Sequence, residues 1–144
     1  MTVAAILKHK GHEVAHVAPS ATIAEVVQQV ANRGIGALLV LDDSGALVGI
    51  ISERDVVRSM AANGAPTLDM TVDQLMTRNV RTATIEMTVP EAMEAMTTGR
   101  FRHLPVLDHG KLCGVVSIGD LLKTRVQQQE QEVDSLKAYV AGAD

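Results

Sequence analysis

The chain has 144 residues, enough for one compact domain or two very small ones. Thirteen Lys and Arg stand against 17 Asp and Glu, a net charge of -4 with a pI near 5.7, so the basic face that general nucleic-acid binding demands is missing. Hydrophobic residues make up 47% but aromatics only 1%, so an aliphatic core is expected and base stacking on aromatic platforms is not.

The N-terminal segment Met1 to Leu7 has a short apolar patch and no basic region ahead of it, so it does not read as a signal peptide. No apolar run approaches the roughly 18 residues of a membrane span, and a cytoplasmic protein is the default expectation. Lys8, His9 and Lys10 form a basic patch before the first predicted strand, His12 to Val17. A helix follows, opened by a Thr22/Glu25 capping box in which side chains satisfy free backbone N–H groups. Ile23, Val26, Val27, Val30 and Ala31 give it one apolar stripe, and Gly34 is its expected stop. Two strands, Ala37–Leu41 and Ala46–Ile51, flank a turn rich in Asp, Ser and Gly, and a second helix is expected after Ser52. Asn63, Gly64, Ala65 and Pro66 read as a linker.

The same order then returns. A strand is expected over Asn79 to Ala83, a helix behind Thr88/Glu91 with Gly99 as its stop, strands over His103–Leu107 and Leu112–Val116, and a helix after Ser117. The segment Val40 to Asp55 matches Val106 to Asp120 with one residue missing at the turn, so the offset is 66 residues before the turn and 65 after it. Two β-α-β-β-α units of about 60 residues result, each small for independent stability, so they are expected to pack together. The division is 1–62, a linker 63–70, a second unit 71–125, and a helical extension 126–144. In the extension Val126, Val133 and Val140 recur every seven residues, as do Leu122, Gln129 and Leu136. That is an a/d-like seam with one polar position, open to packing on its own domain or to a dimer contact; under three heptads do not hold a coiled coil alone.

Several residues invite chemistry. His12-Glu13-Val14-Ala15-His16 spells H-E-x-x-H, but zinc hydrolysis needs the two His one helical turn apart, and this segment reads as a strand whose repeat has Arg78, Asn79 and Thr82 instead. No metal site is expected, though His9 adds a third possible ligand for weak adventitious metal binding. Ser52-x-x-Asp55 and Ser117-x-x-Asp120 carry two readings. One is helix capping, with the acid in the first turn complementing the helix dipole. The other is polyol and phosphate recognition, in which Asp accepts from a diol while Ser and helix N–H groups face a phosphate. A Ser-His-Asp triad fits less well, because the first copy has no counterpart of His103, and no nucleophile and base pair recurs to suggest an enzyme. Arg100, Phe101, Arg102 and His103 make a compact basic cluster, either a solvated loop or a local anion site. Cys113, the single cysteine, sits in an apolar stretch and is expected to be a buried, inert thiol.

With Gly45 to Asp55, Arg102-His103-Leu104-Pro105-Val106 and Gly114 to Asp120 in hand, the chain resembles a tandem pair of CBS domains, the Bateman module, over residues 6 to 125. It is similar to stand-alone bacterial CBS-pair proteins with a long C-terminal helix. The resemblance implies an α+β fold in which two CBS units pack as a pseudo-twofold pair with two clefts, together with that helix. It implies a non-catalytic regulatory module that binds an adenine nucleotide: AMP first, with ATP, ADP, NAD(H) or S-adenosylmethionine as alternatives. Carried over, Asp55 with Ser52 and Asp120 with Ser117 hold ribose or phosphate. Lys10, Gly11 and Val14 are placed near Asp120, and Thr77, Val80 and Thr82 near Asp55. Arg102 and His103 face phosphates, with Ala37, Arg54, Arg100 and Pro105 completing the implied set; Arg54 has Gly119 as its counterpart, so the two sites need not prefer one ligand. A homodimer and an unidentified effector protein are the implied partners, because no effector domain is attached. The competing expectation is a structural or protein-interaction module with no small-molecule ligand.

Overall fold

In a computed structural model that describes residues 1–142, helices alternate with short strands. The order is α1 (Val3–Lys10), β1 (His16–Val17), α2 (Ile23–Arg33), β2 (Ala37–Leu41), β3 (Leu47–Ser52), α3 (Glu53–Asn63), a 3-10 turn (Ala65–Asp69) and α4 (Val72–Leu75). It continues with β4 (Ala83–Thr84), α5 (Val89–Gly99), β5 (His103–Asp108), β6 (Lys111–Ser117) and α6 (Ile118–Gly142). The fold is mixed α+β, with two three-stranded sheets ordered β1-β2-β3 and β4-β5-β6 and one long C-terminal helix. Among the described residues no helix is long and apolar enough to cross a membrane.

The chain forms two compact units, and these do not follow its two halves. One contains Met1–His12, Ala83–Val106 and the chain from Gly114 onward; the other contains Glu13–Thr82 and Leu107–Cys113. In the latter, β1 runs parallel to β2 (His16 opposite Leu39), and β2 runs antiparallel to β3 (Ala37 opposite Ser52) with a register shift between Val40 and Leu41. Its core is aliphatic: Val17, Ile23, Val26, Leu38, Val40, Ile51, Val72 and Met76 are buried together. Three successive β2 residues, Leu38, Leu39 and Val40, are buried, so both faces of this strand are covered. In the other unit Val3, Ile6 and Leu7 of α1 are buried, as are Val89, Ala92, Met96, Leu104, Val106, Val116 and Leu121.

The capping signals are realised. Thr22 accepts from the Glu25 N–H while Glu25 accepts from the Thr22 N–H, and Gly34 ends α2 at φ 64. Of the α2 stripe, Ile23 and Val26 are buried but Val27 and Ala31 are exposed. Several expectations need correction. The first strand is two residues, not His12–Val17; ahead of it only the Ala15 carbonyl reaches β2, accepting from Leu39 N–H at 3.1 Å. The second-copy strand is Ala83–Thr84 rather than Asn79–Ala83, because the backbone of Thr77 bridges to Ile50 while Arg78 turns back to Asp73. Helix α5 is capped by Arg100 at φ 57, not by Gly99; a Cβ on Gly99 would collide with the Phe101 ring, so the glycine makes room for that side chain. In the 63–66 stretch Asn63 ends α3 and Ala65 and Pro66 open the 3-10 turn; just beyond it Thr67 is fully buried, its hydroxyl bonded to Ser59 at 2.9 Å. Helices α1 and α4 have no counterpart among the predicted elements.

Candidate functional site

Each Ser-x-x-Asp sequence sits where a strand runs straight into a helix. At β3–α3, Ser52 is the N-cap and the exchange is reciprocal. The Ser52 N–H and hydroxyl donate to Asp55 Oδ2 at 2.9 and 3.0 Å, and the Asp55 N–H donates to Ser52 Oγ at 3.3 Å. Asp55 Oδ1 accepts from the Thr77 hydroxyl at 3.5 Å, at the outer limit of a hydrogen bond. Two backbone pairings fix this geometry. Thr77 and Ile50 exchange N–H···O bonds at 2.9 and 3.0 Å, and Ala37 lies opposite Ser52 while the Glu53 N–H reaches the Gly36 carbonyl. The result is a half-buried carboxylate with hydroxyl neighbours. Arg54, one residue before Asp55, is exposed in the first turn of α3.

At β6–α6 the same cap is rebuilt with a charge added. The Ser117 N–H donates to Asp120 Oδ2 at 2.8 Å, and the Asp120 N–H donates to Ser117 Oγ at 3.2 Å. Lys10, at the end of α1, places Nζ 2.6 Å from that Oδ2 and 2.9 Å from the Val115 carbonyl. Burial pushes the Asp120 carboxyl up, but the Lys10 hydrogen bond, the Ser117 N–H, the Lys10 charge and the Ser117 hydroxyl together outweigh it and hold it below its ordinary value. Both bonds fall on Oδ2, so Oδ1 keeps its acceptor capacity. Gly11 closes α1 at φ 108, and its N–H returns to the Leu7 carbonyl. The Arg102 carbonyl accepts from the Ile118 N–H at 2.8 Å, which brings the basic cluster to the start of α6. His103 opens β5 half-buried, Pro105 is buried in the same strand, and Arg100 is exposed at the end of α5.

The structure therefore groups Ser52, Asp55, Thr77 and Ala37 in one unit, and Lys10, Ser117, Asp120 and Arg102 in the other. Val14, Val80 and Thr82 lie elsewhere. They line an open cavity of about 860 Å³ whose wall also includes His16, Arg78 and Asn79 and the tips of both β-hairpins, all of them residues of one compact unit. Neither Ser-x-x-Asp pair is part of that wall. Sequence reading missed His16, Arg78 and Asn79 as cavity residues. Their one signal was the repeat itself: Arg78 and Asn79 stand opposite His12 and Glu13, and His16 opposite Thr82, but of the three only His16 was considered for a ligand, and that ligand was a metal. The Asp42 turn beside the cavity is tied by its own carboxylate, held below its ordinary value first by the Ser44 hydroxyl and then by the Ala46 N–H.

Two other candidates resolve. Residues 12–15 are not helical and His16 begins β1, so the helical spacing that H-E-x-x-H chemistry requires is absent. Among the described residues no group of three His, Cys, Asp or Glu is placed to hold a metal ion. Cys113 is half-buried rather than buried; desolvation first, then the Asp108 carboxylate, push its thiol up, away from the thiolate that reacts.

The sequence profile of the CBS domain matches residues 5–62 and again residues 72–126. The Arabidopsis thaliana CBS domain-containing protein CBSX3, mitochondrial, is 35% identical over 125 residues, covering 84% of this chain and 61% of its own. The chain thus spans less than two thirds of the length of the curated relatives that head the comparison. The crystal structure of the CBS-domain containing protein ATU1752 from Agrobacterium tumefaciens superposes with a TM-score of 0.84 at 41% identity, over 86% of this chain and 92% of that one. The CBS domain pair of protein MJ0100, solved with 5′-methylthioadenosine and S-adenosyl-L-methionine, superposes with a TM-score of 0.76 at 27% identity, over 89% of this chain and 98% of that one.

Proposed function

The chain belongs to the CBS-domain family, and from that premise we propose that it is a non-catalytic regulatory module that binds an adenosine-containing ligand. The observation that carries this reading is the site built twice: a Ser–Asp pair at a strand-to-helix junction, half-buried, with Oδ2 locked in the cap and Oδ1, which at Asp55 accepts from the Thr77 hydroxyl at the long distance of 3.5 Å, as the proposed acceptor for a ribose diol. The adenosine ligands bound by the MJ0100 pair support the class. Ser52, Asp55 and Thr77, with Ala37 and Arg54, form one proposed ligand set. Lys10, Gly11, Ser117 and Asp120, with Arg100, Arg102, His103 and Pro105, form the other, and Val14, Val80 and Thr82, which line the open cavity, are proposed as further ligand contacts. AMP is the first nucleotide to test, with ATP, ADP and NAD(H) beside it. The proposal includes a division at 1–62, 63–70, 71–125 and 126–144, a pseudo-twofold pairing of the two CBS copies, a cytoplasmic homodimer, and an effector protein that reads the bound state.

A second reading has its own support. Both carboxylates are engaged in helix caps, which is all that a structural or protein-interaction module needs of them. Thermal unfolding against AMP, ADP, ATP, NAD, NADH, S-adenosylmethionine and GMP separates the two. Binding to the native state adds RT ln(1 + [L]/Kd), about 2.7 kcal/mol at a hundredfold excess over Kd, so the midpoint rises by several degrees. The sensor reading expects a rise with adenosine compounds, none with GMP, and its loss in Asp120→Ala or Asp55→Ala. No rise with any compound at millimolar concentration, with the two variants only about 1 kcal/mol less stable, sinks it in favour of the interaction module.

A further inference from the structure

Helix α6 outruns its own unit. Leu121 is fully buried, but every described residue from Arg125 onward is exposed except the half-buried Gln128. Leu122, just before that stretch, and Val126, Val133, Leu136 and Val140 on it are 47–63% exposed, and with Gln129 they fill successive a and d places of a heptad. We propose that this stretch pairs with the same helix of a second copy of the chain as a parallel, in-register two-stranded coiled coil.

Three features of the seam choose this occupant. The a places are all β-branched (Val126, Val133, Val140) and the apolar d places are both Leu (Leu122, Leu136), the combination that favours two parallel strands. The polar d residue, Gln129, meets its own counterpart when the strands are parallel and in register, so two amides satisfy each other. With the seam reversed about its middle it faces Val133 and its amide is stranded. The flanking charges agree. In a parallel pair a g residue meets the e residue five places on in the partner helix, which puts Arg125 against Glu130 and Glu132 against Lys137 of the second copy, opposite signs both times. Residues 122–140 span about 28 Å of helix, under three heptads, so this seam adds to other contacts between copies rather than replacing them. It thereby deepens the homodimer of the proposed function by giving it one named contact.

Cysteine pairing tests the geometry on the full chain. In a Cys113→Ser background, Val126→Cys and Leu136→Cys are oxidised separately and as an equal mixture. A parallel seam links 126 to 126 and 136 to 136 and gives no 126–136 disulfide in the mixture. A 126–136 link means an antiparallel seam and overturns the proposal, as does no link in any sample. A dimer that sediments normally yet fails to link would spare the homodimer and reject this helix as its contact, so the two readings fail separately. Charge exchange, confined to exposed positions, gives a second measure that does not depend on thiols. Glu132→Lys and Lys137→Glu should each raise the dissociation constant several-fold, and the two together should restore it; additive loss in the double variant overturns the pairing.

Discussion

Two glycines in corresponding places show why the repeated Gly-x-x-Ser motif needs its first residue. A Cβ on Gly49 would lie 2.6 Å from Met76 Sδ and 3.0 Å from the Thr77 carbonyl, and one on Gly114 would lie 2.7 Å from Leu7 Cδ2. Each glycine lets another segment close over the strand that leads to the Ser–Asp cap. The neighbours differ, however. Near Gly49 part of the obstacle is backbone, fixed by the Thr77–Ile50 bridge; near Gly114 it is the end of a leucine side chain. Gly49→Ala should therefore cost about 1–3 kcal/mol in urea unfolding, and Gly114→Ala less. Equal costs would mean that strand β3 moves as easily as a side chain. At Asp120 the argument is electrostatic. Its folded carboxyl titrates below the ordinary carboxylate value, so it stabilises the fold above that value and loses the contribution as pH falls through the lowered one. Lys10 and Asp120 keep 37% and 25% of their side-chain surface, so solvent screens the pair and it is worth under about 1 kcal/mol. Lys10→Met should be less stable than the parent at pH 6, with the gap closing as the solution is acidified below the carboxylate range. A gap unchanged with pH would assign the loss to the Lys10 stem and its Val115 carbonyl bond instead. The Ser–Asp pairs were legible in the sequence because capping is local, set by residues three apart. The Lys10 contact spans 110 positions, and nothing local announces it.

The paired helices that follow the first strand of each copy show how far local rules reach. Thr22 and Thr88 both accept from the N–H three residues on, at 3.2 Å. The acid's return differs. Glu25 Oε2 takes the Thr22 backbone N–H at 3.2 Å, whereas Glu91 Oε1 takes the Thr88 hydroxyl at 2.9 Å. Only the first closes the reciprocal box and satisfies an otherwise orphaned donor. Glu25→Ala should thus cost about 0.5–1 kcal/mol and Glu91→Ala a few tenths, measured by denaturant midpoints at constant slope. A larger loss at Glu91 would show that the hydroxyl bond, not the backbone one, holds the helix start. Helix starts, hairpins and the order of elements were all readable, because caps, turn residues and apolar alternation act over a few positions. The short strands were overdrawn. A strand's extent depends on how much of its neighbour it meets, and β1 meets only Leu39 and Val40.

On the scale of the molecule, the chain's ends and middle are interleaved in a way that periodicity does not reveal. Residues 1–12 open the first copy in sequence but fold with Ala83–Val106 and the chain from Gly114 onward. Helix α1 is held there by backbone as well as side chains: Val3 and Ala4 N–H groups reach the Met87 and Ile85 carbonyls at 2.8 and 3.0 Å, and Val89 N–H reaches the Met1 carbonyl at 3.0 Å. Val3 and Leu7 are fully buried and Ile6 nearly so. The reading from sequence passed over this helix because eight residues with Lys8, His9 and Lys10 at one end show too little apolar period to declare themselves. Its worth is nonetheless large. Burying three aliphatic side chains contributes on the order of 5–9 kcal/mol, comparable with the whole stability of a small domain. A chain starting at Glu13 should therefore lose the native packing of the unit that holds Ala83–Val106 while keeping that of Glu13–Thr82, whose aliphatic cluster contains no residue of α1. Backbone amide exchange reads this directly. Protection should vanish in α5 and at the start of α6 and persist in β2 and β3. Uniform protection would demote α1 to an accessory. Loss in both places at once would mean that the two units fold as one cooperative body, and that a ligand or a substitution acting on either is felt by both.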